Sequence, residues 1–383
     1  MKWVKLGKIA EINMGVSPNS EYYNDKGEGI PFYQGIADFG ELYPTANVYT
    51  TEPKKIANKD EILIGVRAPV GKMNFISEKS CIGRGLAAIN SKKSDVSNKY
   101  LFYFLQTQMD YFEKNSTGST FKAINKKVLE DTPVIYFDED LNNHIVNILD
   151  QTLHLISTRQ AQIEAMDELI QSVFHEMFGD QKSNNSMVKL TKIARVGSSS
   201  RVYKADFKTE GIPFFRGQEI NLLSSQQFDK PELFISQELY RELIAKSGKP
   251  KTGDLLLASV NPEGKIWIVN TDKNFYFKDG RVLWISFNEN IEKNSIYFRF
   301  AIHEKIKRDY TKIASGSTFR ELKIFELKNI EIPLPPLELQ NQFADKVKAI
   351  EKQKAIMQKS LKEMQTLFDA LMQKAFSGGL RNI

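Results

Sequence analysis

Asp254, Glu263 and Lys265 come nearest to a catalytic set in this chain: two acids and a lysine across an expected β-hairpin. Metal-dependent nucleases hold divalent ions with such groups. The chain is an internal duplication, however, and pairing its halves sets Pro69 against Pro262, Gly71 against Gly264 and Lys72 against Lys265. Val70 then stands where Glu263 is, and an acid present in one copy only is expected to be incidental. His144, His154, His175 and His303 lack the spacing of metal ligands or of a nucleophile–base pair. The run Gly65 to Met73 comes near a phosphate loop and fails, with five residues between its glycines and a methionine for the required hydroxyl. No glycine-rich cofactor fingerprint follows an expected strand. Neither a catalytic residue nor a metal site is expected.

The elements that would position any site repeat. Gly118-Ser119-Thr120-Phe121 returns as Gly316-Ser317-Thr318-Phe319, 198 residues later, and Gly29-Ile30-Pro31-Phe32 returns as Gly211-Ile212-Pro213-Phe214. Lys5-Leu6 with Ile9-Ala10 returns as Lys189-Leu190 with Ile193-Ala194. Short apolar runs bounded by turn residues, Ile62 to Val66 and Leu255 to Ala258 among them, read as strands. Lys99–Phe112 and Asn294–Tyr310 read as helices inside the globular segments.

Two long helices are expected at 139–178 and 337–376. The first carries Leu149, Ile156, Ile163, Ile170 and Met177 at seven-residue intervals, interleaved with Ile145, Thr152, Arg159, Met166 and Val173. The second repeats both rows as Val347, Lys354, Leu361, Phe368 and Ala375 with Phe343, Ile350, Met357, Met364 and Leu371. Such a seam needs a partner helix, and the other copy can supply it antiparallel. Pro333, Pro335 and Pro336 stiffen the entry to the second helix. The expected fold class is α+β: two tandem-duplicated α/β globular domains, 1–138 and 181–336, separated by two long helices, in segments 139–180 and 337–383. The helices are expected to form an intramolecular antiparallel coiled coil with approximate two-fold symmetry, which suits a duplex target with two half-sites; the alternatives are that each helix docks on its own domain or that two chains pair through them.

Composition bounds the rest. The chain has 383 residues, 53 basic against 47 acidic, and a single cysteine, Cys81. One cysteine excludes a disulfide framework and fits a reducing compartment. No apolar run is long enough for a membrane span, and no apolar stretch follows the first charges, so a cytoplasmic location is expected.

The turn motifs now carry weight, in order: Gly29 to Gly35, Ala37 to Gly40, Gly65 to Gly71, Gly83 to Leu86 and Gly118 to Phe121. Gly211 to Gly217, Asn261 to Lys265, Gly316 to Phe319 and Ile332 to Pro336 follow in the second half. Together they resemble the specificity subunit of type I restriction-modification systems over essentially the whole chain. The resemblance implies that each globular domain is a target-recognition domain gripping one half of a bipartite, asymmetric site in double-stranded DNA. It implies a helix pair that sets the gap between half-sites and docks two methyltransferase (modification) subunits, with two restriction/translocase subunits in systems that carry them. The subunit itself is non-catalytic and holds no cofactor; S-adenosylmethionine, ATP and Mg belong to partner subunits. A spacer of about 55 Å is on the order of one and a half turns of B-DNA.

Base readout needs forked donors or amides, and phosphate contacts need cations, hydroxyls or free N–H groups. In the first domain the candidates are Gln34, Arg67, Lys72 and Arg84, with Thr120 and Lys122 nearer the backbone. In the second they are Arg216, Gln218, Asn261, Lys265 and Arg281, with Thr318 and Arg320. The shared hydroxyls of Thr120 and Thr318 equally suit turn caps. Arg84 and Arg281 align in sequence, which equally suits a shared salt bridge. Gln34 against Arg216, and Arg67 against Val260, differ between copies as an asymmetric site requires. An adaptor with no DNA role is a further reading, separated by salt: a DNA reader weakens steeply as salt rises.

Overall fold

The computed structural model describes residues 2–118, 122–179, 187–260, 265–315 and 321–377. The chain forms two compact units, Met1–Gln162 with Met357–Ile383, and Ile163–Ile356. The first unit contains strands β1 (Ala10–Met14), β2 (Ile30–Tyr33), β3 (Ile62–Gly65), β4 (Met73–Phe75), β5 (Ser80–Ile82) and β6 (Leu86–Ser91), then helix α1 (Asn98–Gln106). Helix α2 (Glu139–Phe178) runs out of it. The second contains β7 (Ala194–Gly197), β8 (Ile212–Phe215), α3 (Gly217–Ser224), β9 (Leu255–Ala258), β10 (Ile266–Ile268), β11 (Tyr276–Phe277), β12 (Val282–Phe287) and α4 (Ser295–Ile313), before α5 (Leu337–Phe376).

Each unit is built on the same four-stranded antiparallel sheet, β1-β6-β3-β4 in one and β7-β12-β9-β10 in the other. The central β3 and β9, Ile-Leu-Ile-Gly and Leu-Leu-Leu-Ala, are buried at every position, as continuous apolar runs predict. Beside each sheet a parallel pair forms, β2 with β5 and β8 with β11. Chain ends are tied in the same way twice: Lys2–Lys5 pairs with Pro133–Tyr136, and Met187–Lys189 with Glu331–Pro333.

The long helices occupy the residues that the heptads predict, and each unit holds an antiparallel pair of helix segments. In the first, Ile145 and Leu149 of α2 share a core with Met372, Ala375 and Phe376 of α5. In the second, Ile170, Phe174 and Phe178 of α2 meet Phe343 and Val347 of α5, with the Phe174 and Phe343 rings 5.5 Å apart. Lys354, a polar seam residue, places its Nζ 2.6 Å from both Asp167 carboxylate oxygens. The seam is therefore sealed at its polar step by charge.

One local outcome differs from expectation. The helix predicted over 99–112 breaks after Gln106, where the Thr107 hydroxyl and N–H both donate to the Phe104 carbonyl and close a tighter turn. Tyr100 and Tyr297 each donate to a carbonyl at 2.8 Å, of Ile135 and Pro333. These bonds make Phe104 and Ala301 equivalent, four residues on. The Phe104 ring fills its place edge-on to Phe376 at 5.4 Å. Ala301 instead lines an open cavity of about 680 Å³ beside Phe174 and Phe178.

Candidate nucleic-acid interface

Exposed cations and amides gather where the central sheets meet the turn motifs. In the first unit the Val66 N–H donates to the Gly85 carbonyl, so Arg67 and Arg84 flank one backbone pair. A side chain at Gly85 would stand 2.5 Å from the Gln34 carbonyl oxygen, so glycine is what lets that loop close on Gln34. Arg67 bridges Ala123, and the Ala68 N–H donates to Lys122. Lys72 accepts from Gly65 at 2.8 Å at the turn into β4. Gln34, Arg67, Lys72, Arg84 and Lys122 are thus carried on connected turns, all exposed. Lys122 pairs with Glu113 at 3.2 Å on the surface.

In the second unit the candidates converge on one cleft of about 610 Å³. Arg216, Gln218, Lys265 and Arg281 all line it, together with Asn221, Leu222, Ser225, Gln227 and Lys278. Asn261 and Arg320 lie outside the described residues, as do Thr120, Thr318 and Glu263. Helix α3 forms one wall. Ile220 is fully buried in a core with Phe215, Leu256 and Trp267, and this holds the helix against β9 and β10. The opposite face, Gln218, Asn221, Leu222 and Ser225, points into the cleft.

Arg216 is occupied. Its guanidinium binds both Glu219 carboxylate oxygens and reaches Glu232 at 3.1 Å, while its backbone N–H donates to Glu219 at 2.8 Å. Burial pushes the Glu219 carboxyl up, but the Arg216 guanidinium and backbone N–H groups outweigh it and hold the acid below the usual range. The same contacts raise Arg216. Among the described residues, the side chains of Gln218, Asn221, Lys265 and Lys278 make no hydrogen bond or ion pair.

Strand register corrects one pairing. The Ser259 N–H donates to the Arg281 carbonyl just as Val66 donates to Gly85, so Arg281 is equivalent to Gly85 and not to Arg84. The pairing of Arg67 with Val260 stands, because these residues bridge Ala123 and Glu321, the corresponding partners 198 residues apart. Arg281 reaches Glu321 at 3.5 Å, both exposed.

Asp254 and Lys265 of the nuclease set do not come together. The Asp254 carboxylate is 2 % exposed and accepts from the Trp284 indole N–H at 2.8 Å and from the Lys251 N–H at 3.0 Å. Asp254 lies opposite Val269, whereas Lys265 precedes the Leu257–Ile266 pair at the other end of the ladder. At about 3.3 Å per residue the two are more than 10 Å apart. Among the described residues no group of three or more His, Cys, Asp or Glu could hold a metal ion.

A family model described as the type I restriction modification DNA specificity domain matches the chain twice, at residues 1–165 and 182–366. The chain belongs to this family. The two matched stretches account for the repeated sheets and repeated turn motifs. The putative type I restriction enzyme MjaX specificity subunit of Methanocaldococcus jannaschii is 50% identical over 129 residues, 33% of this chain and 30% of that protein. A putative type I restriction enzyme specificity subunit of Haemophilus influenzae, S.HindORF215P, is 27% identical over 366 residues, 89% of this chain and 85% of its own. The crystal structure of a type I restriction-modification S subunit from M. genitalium covers 98% of this chain and 96% of that one, at 16% identity and a TM-score of 0.53. That likeness is one of fold.

Proposed function

We propose that this chain is the non-catalytic, sequence-specific DNA-recognition subunit of a type I restriction-modification complex. Its recognition domains, residues 1–138 and 181–336, each read one half of a bipartite asymmetric site in double-stranded DNA. The observation that carries this is the cleft beside α3, where the side chains of Gln218, Asn221, Lys265 and Lys278, free of hydrogen bonds and ion pairs among the described residues, gather with Arg281 in a DNA specificity domain. Gln34, Arg67, Lys72, Arg84 and Lys122 form the corresponding reading surface of the first domain.

The helix segments 139–180 and 337–383 set the gap between half-sites and dock two modification subunits. S-adenosylmethionine, ATP and Mg serve those subunits and, where present, two restriction subunits; this chain holds none of them. The complex works in the cytoplasm, in keeping with the absence, among the described residues, of a helix long and apolar enough to cross a membrane.

The test is to reconstitute the chain with its modification subunits and map methylated adenine across a genome. The expected result is a split motif with a fixed gap, altered in one half only by Gln34→Ala and in the other half only by Gln218→Ala. Methylation without a split motif would overturn the reading.

A further inference from the structure

We infer that α3 is a recognition helix that reads A·T base pairs through Gln218, Asn221 and Leu222, with Arg216 as its positioning residue. This rests on the DNA-recognition reading above and deepens it by naming the bases and the readers.

Gln218, Asn221, Leu222 and Ser225 are spaced i, i+3, i+4 and i+7, which places them together on one side of a helix. All four line the cleft, while Glu219 and Ile220 on the other side are buried. Gly217 permits this approach: a side chain there would meet the Ala258 side chain at 3.1 Å. The reading face is therefore fixed by packing before DNA arrives.

Chemistry then selects the base. In the major groove adenine offers N7 as acceptor and N6–H as donor, which one amide matches with its own donor and acceptor. Guanine offers two acceptors, N7 and O6, so an amide would leave its carbonyl facing another acceptor. An arginine fork would suit guanine, but the Arg216 fork is consumed by Glu219 and Glu232. The free groups on this helix are amides, and Leu222, next to Asn221 on the same face, offers apolar contact to a thymine methyl.

The cations divide from the amides by element. Lys265, Lys278 and Arg281 come from strand ends and loops rather than from α3; the two lysines are point charges without forked geometry, which suit phosphates, and the Arg281 guanidinium reaches Glu321 at 3.5 Å. Among the described residues the first unit lacks this device. Where α3 stands in the second, the first has one short turn, Ile36–Asp38, whose Asp38 carboxylate accepts from the Gln34 and Gly35 N–H groups. The two domains share a capping carboxylate, but only the second extends it into a helix.

The experiment compares methylation motifs of the reconstituted complex for the wild-type chain and for Gln218→Ala, Asn221→Ala, Gln218→Glu and Lys278→Ala. Each alanine replacement of an amide is expected to relax one A·T position, in the same half-site, by about 5- to 150-fold in discrimination. Gln218→Glu is expected to shift preference at its position toward cytosine, whose N4–H donates to a carboxylate. Lys278→Ala is expected to lower methylation evenly without changing a letter. A split wild-type motif left unchanged by both amide variants, or relaxed at a G·C position, overturns the recognition helix while leaving the DNA-recognition reading intact. Absence of any split motif from the wild-type complex would sink both. An unchanged thermal unfolding midpoint of each variant shows that the substituted unit has folded.

Discussion

The charge count of the cleft predicts how DNA affinity responds to salt. Four cations line it, but Arg216 is neutralised by Glu219 and Glu232, which leaves Lys265, Lys278 and the loosely paired Arg281. Each phosphate neutralised by a cation contributes about −0.9 to the slope of log affinity against log salt. Replacing Lys265 and Lys278 together by alanine should flatten that slope by about 1.8. Between 50 and 200 mM salt the wild-type complex should then lose about 12-fold more affinity than the double variant. Arg216→Ala removes a charge already balanced, so its slope should change by less than about 0.5. Fluorescence anisotropy on a duplex carrying the methylation motif, with the chain assembled with its modification subunits, measures all three. A flattening below about 0.9 for the double variant refutes the phosphate assignment of the lysines. Equal flattening by Arg216→Ala refutes the argument that its acids neutralise it.

Asp254→Ala leaves the buried Trp284 indole N–H without an acceptor and should destabilise the second unit by about 1–3 kcal/mol, read from urea unfolding by tryptophan fluorescence. An unchanged midpoint would show that Asp254 is not a structural anchor. Phe104→Ala should destabilise the first unit by about 3–5 kcal/mol, because its ring is 1% exposed and packs on Phe376. Ala301→Phe, which puts the same ring into an existing cavity, should be neutral or stabilising; calorimetry separates the two. Glu219 is depressed when folded, so its contribution is complete above the unfolded carboxyl value of about 4.3 and is lost as pH falls through the lower folded value. Melting temperatures from pH 6 to pH 3 should fall less steeply for Glu219→Gln than for wild type, and superimposable curves would refute the Arg216–Glu219 lock.

The long helices are legible because a heptad seam is a local, repeated signal, and Leu149 or Val347 declares its face without reference to the rest of the fold. The cleft was legible in part. Gln218, Lys265 and Arg281 stood out as polar residues beside glycine and proline, and the fold brought them together. Asn221 and Lys278 went unnoticed because neither borders a repeated motif. Helix α3 has only eight residues, opens on glycine, and owes its start to the Glu219 carboxylate at the Arg216 N–H. The slip between Arg84 and Arg281 has the same origin. Equivalence in a turn is set by which strand residue it bonds, Val66 or Ser259, and that partner lies some twenty residues away in sequence. The break after Gln106 likewise depends on one hydroxyl, Thr107, that periodicity cannot weigh.

The first compact unit is discontinuous in sequence, and this sets an order on its birth. Ile163–Ile356 is one unbroken stretch, whereas the core around Leu149 is closed by Met372, Ala375 and Phe376. During translation at about 5–20 residues per second, the roughly 220 residues between Leu149 and Met372 take about 10–45 s to emerge. For that interval the nascent chain carries an unpaired apolar stripe from Ile145 to Ile156, while everything needed for the second unit leaves the ribosome in sequence. The part made first is thus the part completed last: a chain ending shortly before Met372 carries every residue of the later unit, while the earlier one lacks Met372, Ala375 and Phe376 from its core.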